Sequence, residues 1–441
     1  MILRIVFSVY TLGLIALADL SCTKASKTQT PESTTQTLSS CPLRPGLRPN
    51  SRVVAPSQAL PHRLSSATFS VKRKPNLPRA FSPDTTLFGV EMEFPVASNL
   101  TVKTAHQKFS ARVKEKCDQC LGLCHTATGN IVLLRDDAKS PSSITLYVGV
   151  DPAVIEVQTT PLTYAQTDSW KNEIQSLVFS TAKELEKEGT VVSSNKERNR
   201  WSGHINISWP GLNEIHQLPD PESMNLLLNY FVDVQNFPEL GMGVLGGDVR
   251  NARPLAFGSP AEQTRLRAVI DRYRAGDFLD LQSLAEALFR VVPESFLGGF
   301  DEGRYAPVNL ESIVNLDATW GYEKGIRLEL RSFFAPLSVD EMLSSYRLIN
   351  GRLDYLRRSF PASERRVVAF EPPVIDRNYL KNVDVFNHKV QGLLAGLSPA
   401  KAATTYIRYL KEAGLDPLRE SVYLRDPVVK RAVKNQLECT P

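Results

Sequence analysis

Two carboxylates, Glu91 and Glu93, stand two residues apart in the apolar run Leu87-Phe88-Gly89-Val90-Glu91-Met92-Glu93-Phe94. Side chains alternate faces along a strand, so both acids project from one side while Val90, Met92 and Phe94 project from the other. Like charges on one strand face repel and lose hydration, and cations between or beside them relieve that cost. The plain alternative is a solvated strand face, where carboxylates usually sit.

Three further segments repeat the alternation. Val154-Ile155-Glu156-Val157-Gln158-Thr159 carries a lone acid among β-branched residues, and Ile326-Arg327-Leu328-Glu329-Leu330-Arg331 alternates charge with aliphatics. In Ser202-Gly203-His204-Ile205-Asn206-Ile207-Ser208, His204, Asn206 and Ser208 share one face and the isoleucines the other. Laid side by side in an antiparallel sheet, these strands give an apolar face for the core. The opposite face then carries Glu91, Glu93, Glu156, His204, Glu329 and Arg331. Carboxylate oxygens with one imidazole suit Mg²⁺ or Mn²⁺, which favour oxygen-rich octahedral shells with retained waters.

The ordered set FGVEMEF (88–94), VIEVQTTPL (154–162), GHINIS (203–208), RYAPVNL (304–310) and IRLELRSF (326–333) resembles the amidoligases of the glutamine synthetase-like carboxylate-amine ligase superfamily. The resemblance spans residues 84 to 335. It implies an α+β fold in which an antiparallel sheet platform of the glutamine synthetase-like type is covered by helices. It also implies ATP with divalent Mg²⁺ or Mn²⁺, and amide-bond formation through an acyl phosphate. By motif position, Glu91, Glu93, Glu156, Glu329 and His204 are the implied metal ligands, with His204 an alternative phosphate contact. Arg331 is implied as the group that stabilises the transferring phosphoryl, and Arg304 and Asn309 as nucleotide or substrate contacts. Where many relatives of this kind carry a second histidine, this chain has Asn206, a weaker ligand that puts one cation site in doubt.

The elements that must position these residues are readable from periodicity and from start signals. Helical spacing covers 166–188, with Trp170, Ile174, Leu177 and Val178 on one side, and 221–237, 262–273 and 279–291 also read as helices. Ser338-Val339-Asp340-Glu341 opens a further helix over 337–358, and 399–413 forms an amphipathic helix in a helical extension from 361 to 441. The glycine-rich loop 241–247 lacks a Gly-Lys-Ser/Thr ending, so it is no Walker A loop, although Arg250 or Arg253 just beyond it would reach a phosphate.

The 441 residues carry 42% hydrophobic content, enough for one sizeable catalytic domain, placed at 81–360. Residues 1–22 read as a signal peptide. Leu20-Ser21-Cys22 resembles the end of a bacterial lipoprotein signal, with Cys22 lipidated at a cell envelope, while Ala16-Leu17-Ala18 fits ordinary cleavage. An uncleaved anchor is the remaining option. Residues 23–80 read as a disordered Ser/Thr/Pro-rich tether with ten Lys or Arg against the single acid Glu32. The net charge of +5 therefore resides in the tether, which suits an anionic membrane surface or wall polymer, and the body is acidic. Nothing in the chain resembles a nucleic-acid module.

Cys117, Cys120, Cys124 and His125 form a ligand-like cluster without a second pair, so a disulfide competes with a metal site and with free thiols. Three functions fit the whole. One is a ligase acting on amino-acid, peptide or cell-wall-fragment substrates. Another is an exported non-catalytic relative that holds an anionic envelope ligand, consistent with Asn206 and the export signal. The third is a metal-dependent amide hydrolase, for which the glutamate-rich set suits zinc poorly.

Overall fold

The computed structural model describes residues 21–23, 39–40, 82–117, 120–125, 129–134, 145–151, 153–192, 202–213, 220–237, 260–291, 307–314, 326–331, 335–372, 399–424 and 427–438. Loop 241–247, Arg250, Arg253 and Arg304 lie outside them, as does most of the expected signal peptide and tether. The fold is α+β, built on an antiparallel sheet with helices against it.

The strands are β1 (Ser21–Thr23), β2 (Ser39–Ser40), β3 (Leu87–Pro95), β4 (Cys120–His125) and β5 (Gly129–Leu134). They continue with β6 (Thr145–Asp151), β7 (Val154–Thr159), β8 (Ser202–Ser208), β9 (Val308–Asn309) and β10 (Leu328–Leu330). All join one sheet in the order β2-β1-β4-β5-β6-β7-β3-β8-β10-β9. The four strands singled out by their alternating pattern are neighbours within it, β7-β3-β8-β10.

Strand β3 shows why the pattern dictates the packing. Phe88, Val90, Met92 and Phe94 are fully buried, whereas Glu91 and Glu93 on the other face are not. Burying each of those large apolar side chains is worth roughly 1.5–3 kcal/mol, which fixes the strand's register because a one-residue slip would bury the acids instead. Phe94 stacks on Phe109 of helix Val102–Lys116 at 5.7 Å, and Phe88 on Tyr346 of the long helix Val339–Ser359 at 4.2 Å. Trp170, Ile174, Leu177 and Val178 are buried as their spacing requires, but the helical run Tyr164–Lys187 is interrupted by a π-turn at Gln175–Ser180. A capping box at Thr163 and Gln166 starts that run, and Ser338 caps Glu341 at the start of the long helix.

Helix Pro221–Asn236 begins with Pro221 behind the cap Asp220 and carries unusually many buried polar residues. Their partners explain them. Asn225 donates to the Phe360 carbonyl, Asn229 donates to Arg366 and accepts from the Val368 amide, and Asn236 engages Ala369 and Glu371 in the same way. Carboxamides thus satisfy the backbone of an extended strap that leaves the long helix.

The chain beyond Pro361, set apart in the sequence as a helical extension, is tied back to the body. Helices Pro399–Glu412, Pro417–Glu420 and Pro427–Glu438 gather around their own apolar cluster, which includes Leu348 of the long helix. Arg352 of that helix grips buried Asp233 through two hydrogen bonds of 2.8 and 2.6 Å, reaches Glu412 of the extension and lies 4.0 Å over the Tyr409 ring. Arg347 makes a second bidentate pair with Glu420, both bonds at 3.1 Å.

Cys117, at the C-terminal end of helix Val102–Lys116, is disulfide-bonded, which removes it as a metal ligand. Cys22, expected as a lipidated terminus, stands in β1 opposite Cys124 in the strand register. No described helix is long and apolar enough to cross a membrane.

Candidate functional site

Register brings the polar side chains into rows on one face of the sheet. Glu91 lies between His204 on β8 and Gln158 on β7, while Glu93 lies between Ser202 and Glu156. A third row sets Glu329 between Asn206 and Asn309. Directly opposed residues of antiparallel strands share a face and sit close enough to interact.

The rows converge on His204, which is 8% exposed. Its Nδ1 lies 3.4 Å from Glu91 Oε2 and 3.0 Å from Glu329 Oε1. Arg331, two residues beyond Glu329 on the same face, donates to that Glu329 oxygen at 2.9 Å. The other Glu329 oxygen accepts from Asn309 at 2.7 Å. Burial pulls the His204 imidazole pKa down and the Arg331 charge opposes protonation. The hydrogen bond to Glu91 and the charges of Glu329 and Glu91 outweigh both, so the group sits above its ordinary value.

Glu91, His204 and Glu329 each present one ligand atom within 4.8 Å of the other two, the arrangement a single cation needs. Two hard carboxylates and an imidazole fit Mn²⁺ or Mg²⁺ with waters completing the shell. Of the sequence-expected ligands, these three come together. Glu93 and Glu156 stand opposite one another one row along the same face, where Glu156 accepts a hydrogen bond from Gln158. Asn309 and Arg331 join the three through Glu329, whereas Arg304 lies outside the described residues.

Asn206 has a definite place in this arrangement. Its amide donates to Glu91 Oε1 at 3.0 Å and its oxygen accepts from Arg327 Nε at 2.8 Å. A carboxamide can do both at once, so Asn206 orients Glu91 and couples it to a second guanidinium beside the site. Arg327 and Gln158 stand on this face beyond the residues expected from the sequence, and alternation is the signal that marks them, since Arg327 is in phase with Glu329 and Gln158 with Glu156.

Gly203 explains how β8 can lie so close. A Cβ there would meet the Glu91 carbonyl at 2.6 Å and Ala335 Cα at 2.9 Å, both backbone atoms that cannot step aside. Glycine is the residue that permits this approach next to His204.

Taken together, this face offers acidic ligands for a divalent cation beside two arginines suited to phosphate or carboxylate. No protein-family model matches the chain, and no curated protein matches it.

Proposed function

We propose that the chain is an ATP-dependent carboxylate-amine ligase using Mg²⁺ or Mn²⁺, with the glutamine synthetase-like sheet as its platform. The observation that carries this reading is the meeting of Glu91, His204 and Glu329 from three strands, with Arg331 hydrogen-bonded to Glu329 at 2.9 Å. A bound divalent cation supplies charge neutralisation for phosphoryl transfer. Arg331, aligned by Glu329, presents a fixed positive charge to the transferring group, and the half-buried site limits the water that would hydrolyse an acyl phosphate. In this reading, Glu93 and Glu156 hold a further cation, and Arg304 and Asn309 contact nucleotide or substrate. The substrate is an amino acid, peptide or cell-wall fragment, and the protein acts at the envelope, anchored by lipidated Cys22.

The test is calorimetric titration of the full chain with ATP, with and without Mg²⁺, beside a Glu329→Ala variant. Metal-dependent binding in the wild type, lost in the variant, is the expected result. Absence of binding by folded wild type would overturn the ligase reading and favour the exported binding protein that Asn206 suggested.

A further inference from the structure

The C-terminal helices present an apolar corner to solvent that the proposed chemistry does not use. Among the described residues, most large hydrophobic side chains are buried, but Leu418, Val422 and Val428 are 57%, 56% and 55% exposed, all within one short stretch. Leu418 and Val422 are four residues apart across the turn formed by Pro417–Glu420 and Ser421–Tyr423, so they lie on one side of it. The Lys430 ammonium donates to the Val422 carbonyl at 2.7 Å, which brings the first turn of helix Pro427–Glu438 close to this corner, and Val428 is exposed in that same turn. The charges around it are mainly cationic. Arg419 and Arg431 are exposed, as is Lys430. Of the neighbouring acids, Glu420 is turned inward onto Arg347, whereas Asp416 at the helix cap and Asp340 near Tyr423 are exposed, against the three cations Arg419, Lys430 and Arg431.

Aliphatic side chains rimmed by Lys and Arg match the interfacial region of an anionic bilayer, where the apolar groups enter the headgroup boundary and the cations meet lipid phosphates. A rigid corner suits this partner because little ordering is needed on contact. We propose that Leu418, Val422 and Val428, with Arg419, Lys430 and Arg431, dock the protein on an anionic lipid surface. This contact is independent of the ligase reading and of any lipid at Cys22. It would hold the sheet face at a set orientation to the membrane.

The experiment is cosedimentation of the full chain with phosphatidylglycerol–phosphatidylcholine vesicles and with pure phosphatidylcholine vesicles. It compares wild type with Leu418→Ser/Val422→Ser/Val428→Ser and with Arg419→Gln/Arg431→Gln. These side chains are exposed, and circular dichroism is the check that the variants remain folded. The expected result is binding to the anionic vesicles that weakens with salt and falls about tenfold or more in the triple variant and several-fold in the double variant. Binding that survives the triple substitution belongs to the basic N-terminal segment and overturns the proposal. So does equal binding to neutral vesicles. A concentration-dependent dimer abolished by the triple variant, with no vesicle binding, would make the corner a self-contact instead and equally overturn it.

Discussion

Replacing Arg352 with methionine tests whether the C-terminal helices are integral to the fold. The substitution keeps most of the aliphatic stem and removes the guanidinium, leaving Asp233, fully buried, without its two charge-assisted bonds. Breaking a buried pair from one side typically costs 3–5 kcal/mol, because the remaining charge is stranded. Asp233 has an escape, since burial already pushes its carboxyl up and only Arg352 and the Tyr409 hydroxyl pull it back. In the variant it folds protonated. Taking up that proton at pH 7 against an ordinary carboxyl value near 3.9 costs about 4 kcal/mol, which caps the loss, and at pH 5 the same uptake costs about 1.5 kcal/mol. The sign follows from a folded-state pKa above the unfolded one: stability is greatest at low pH and is lost as pH rises through the folded value. Urea unfolding at the two pH values should therefore show Arg352→Met about 4 kcal/mol below wild type at pH 7, with the gap narrowing by up to about 2.5 kcal/mol at pH 5. A loss below about 1 kcal/mol at pH 7, or a gap that ignores pH, would refute the reasoning. Either would mean that the ion pair does not clamp helix Pro221–Asn236, the long helix and Glu412 together.

The sequence pattern revealed the faces of the sheet more fully than it revealed the partnerships on them. Alternation in β3, β7, β8 and β10 assigns each side chain to core or site because a half-buried strand has a period of two, and burial follows that assignment in β3. The helix start at Ser338 follows from short-range capping chemistry, and the runs at 339–359 and 221–236 fall within a few residues of expectation. What local pattern cannot supply is register. Whether Glu91 meets His204 or Glu93 does is set by turns and long-range pairing, and the structure chooses Glu91, leaving Glu93 opposite Glu156. The same limit hides the Asn206–Arg327 contact and the asparagines that clamp the 360–371 strap, whose partners lie more than a hundred residues away. Asn206 reads as a lost ligand in one dimension and as a bridge between Glu91 and Arg327 in three.

Two further predictions concern the strand that carries His204. Gly203→Ala forces a methyl group against the Glu91 carbonyl and Ala335, so β8 must shift; a loss of about 1–3 kcal/mol in urea unfolding is expected, with weaker Mn²⁺ binding, and an unchanged midpoint would show that the backbone approach is not tight. For His204, the raised folded-state pKa means that its pairing with Glu91 and Glu329 stabilises the metal-free protein fully below the ordinary imidazole value near 6.5, and that this stabilisation is lost as pH rises through the folded value. A cation at the same carboxylates needs the neutral ring, so Mn²⁺ affinity should rise with pH over the window in which the metal-free melting temperature falls. His204→Gln should flatten both trends, and a wild-type protein whose metal affinity and thermal stability move in the same direction would show that the proton and the cation do not compete for His204.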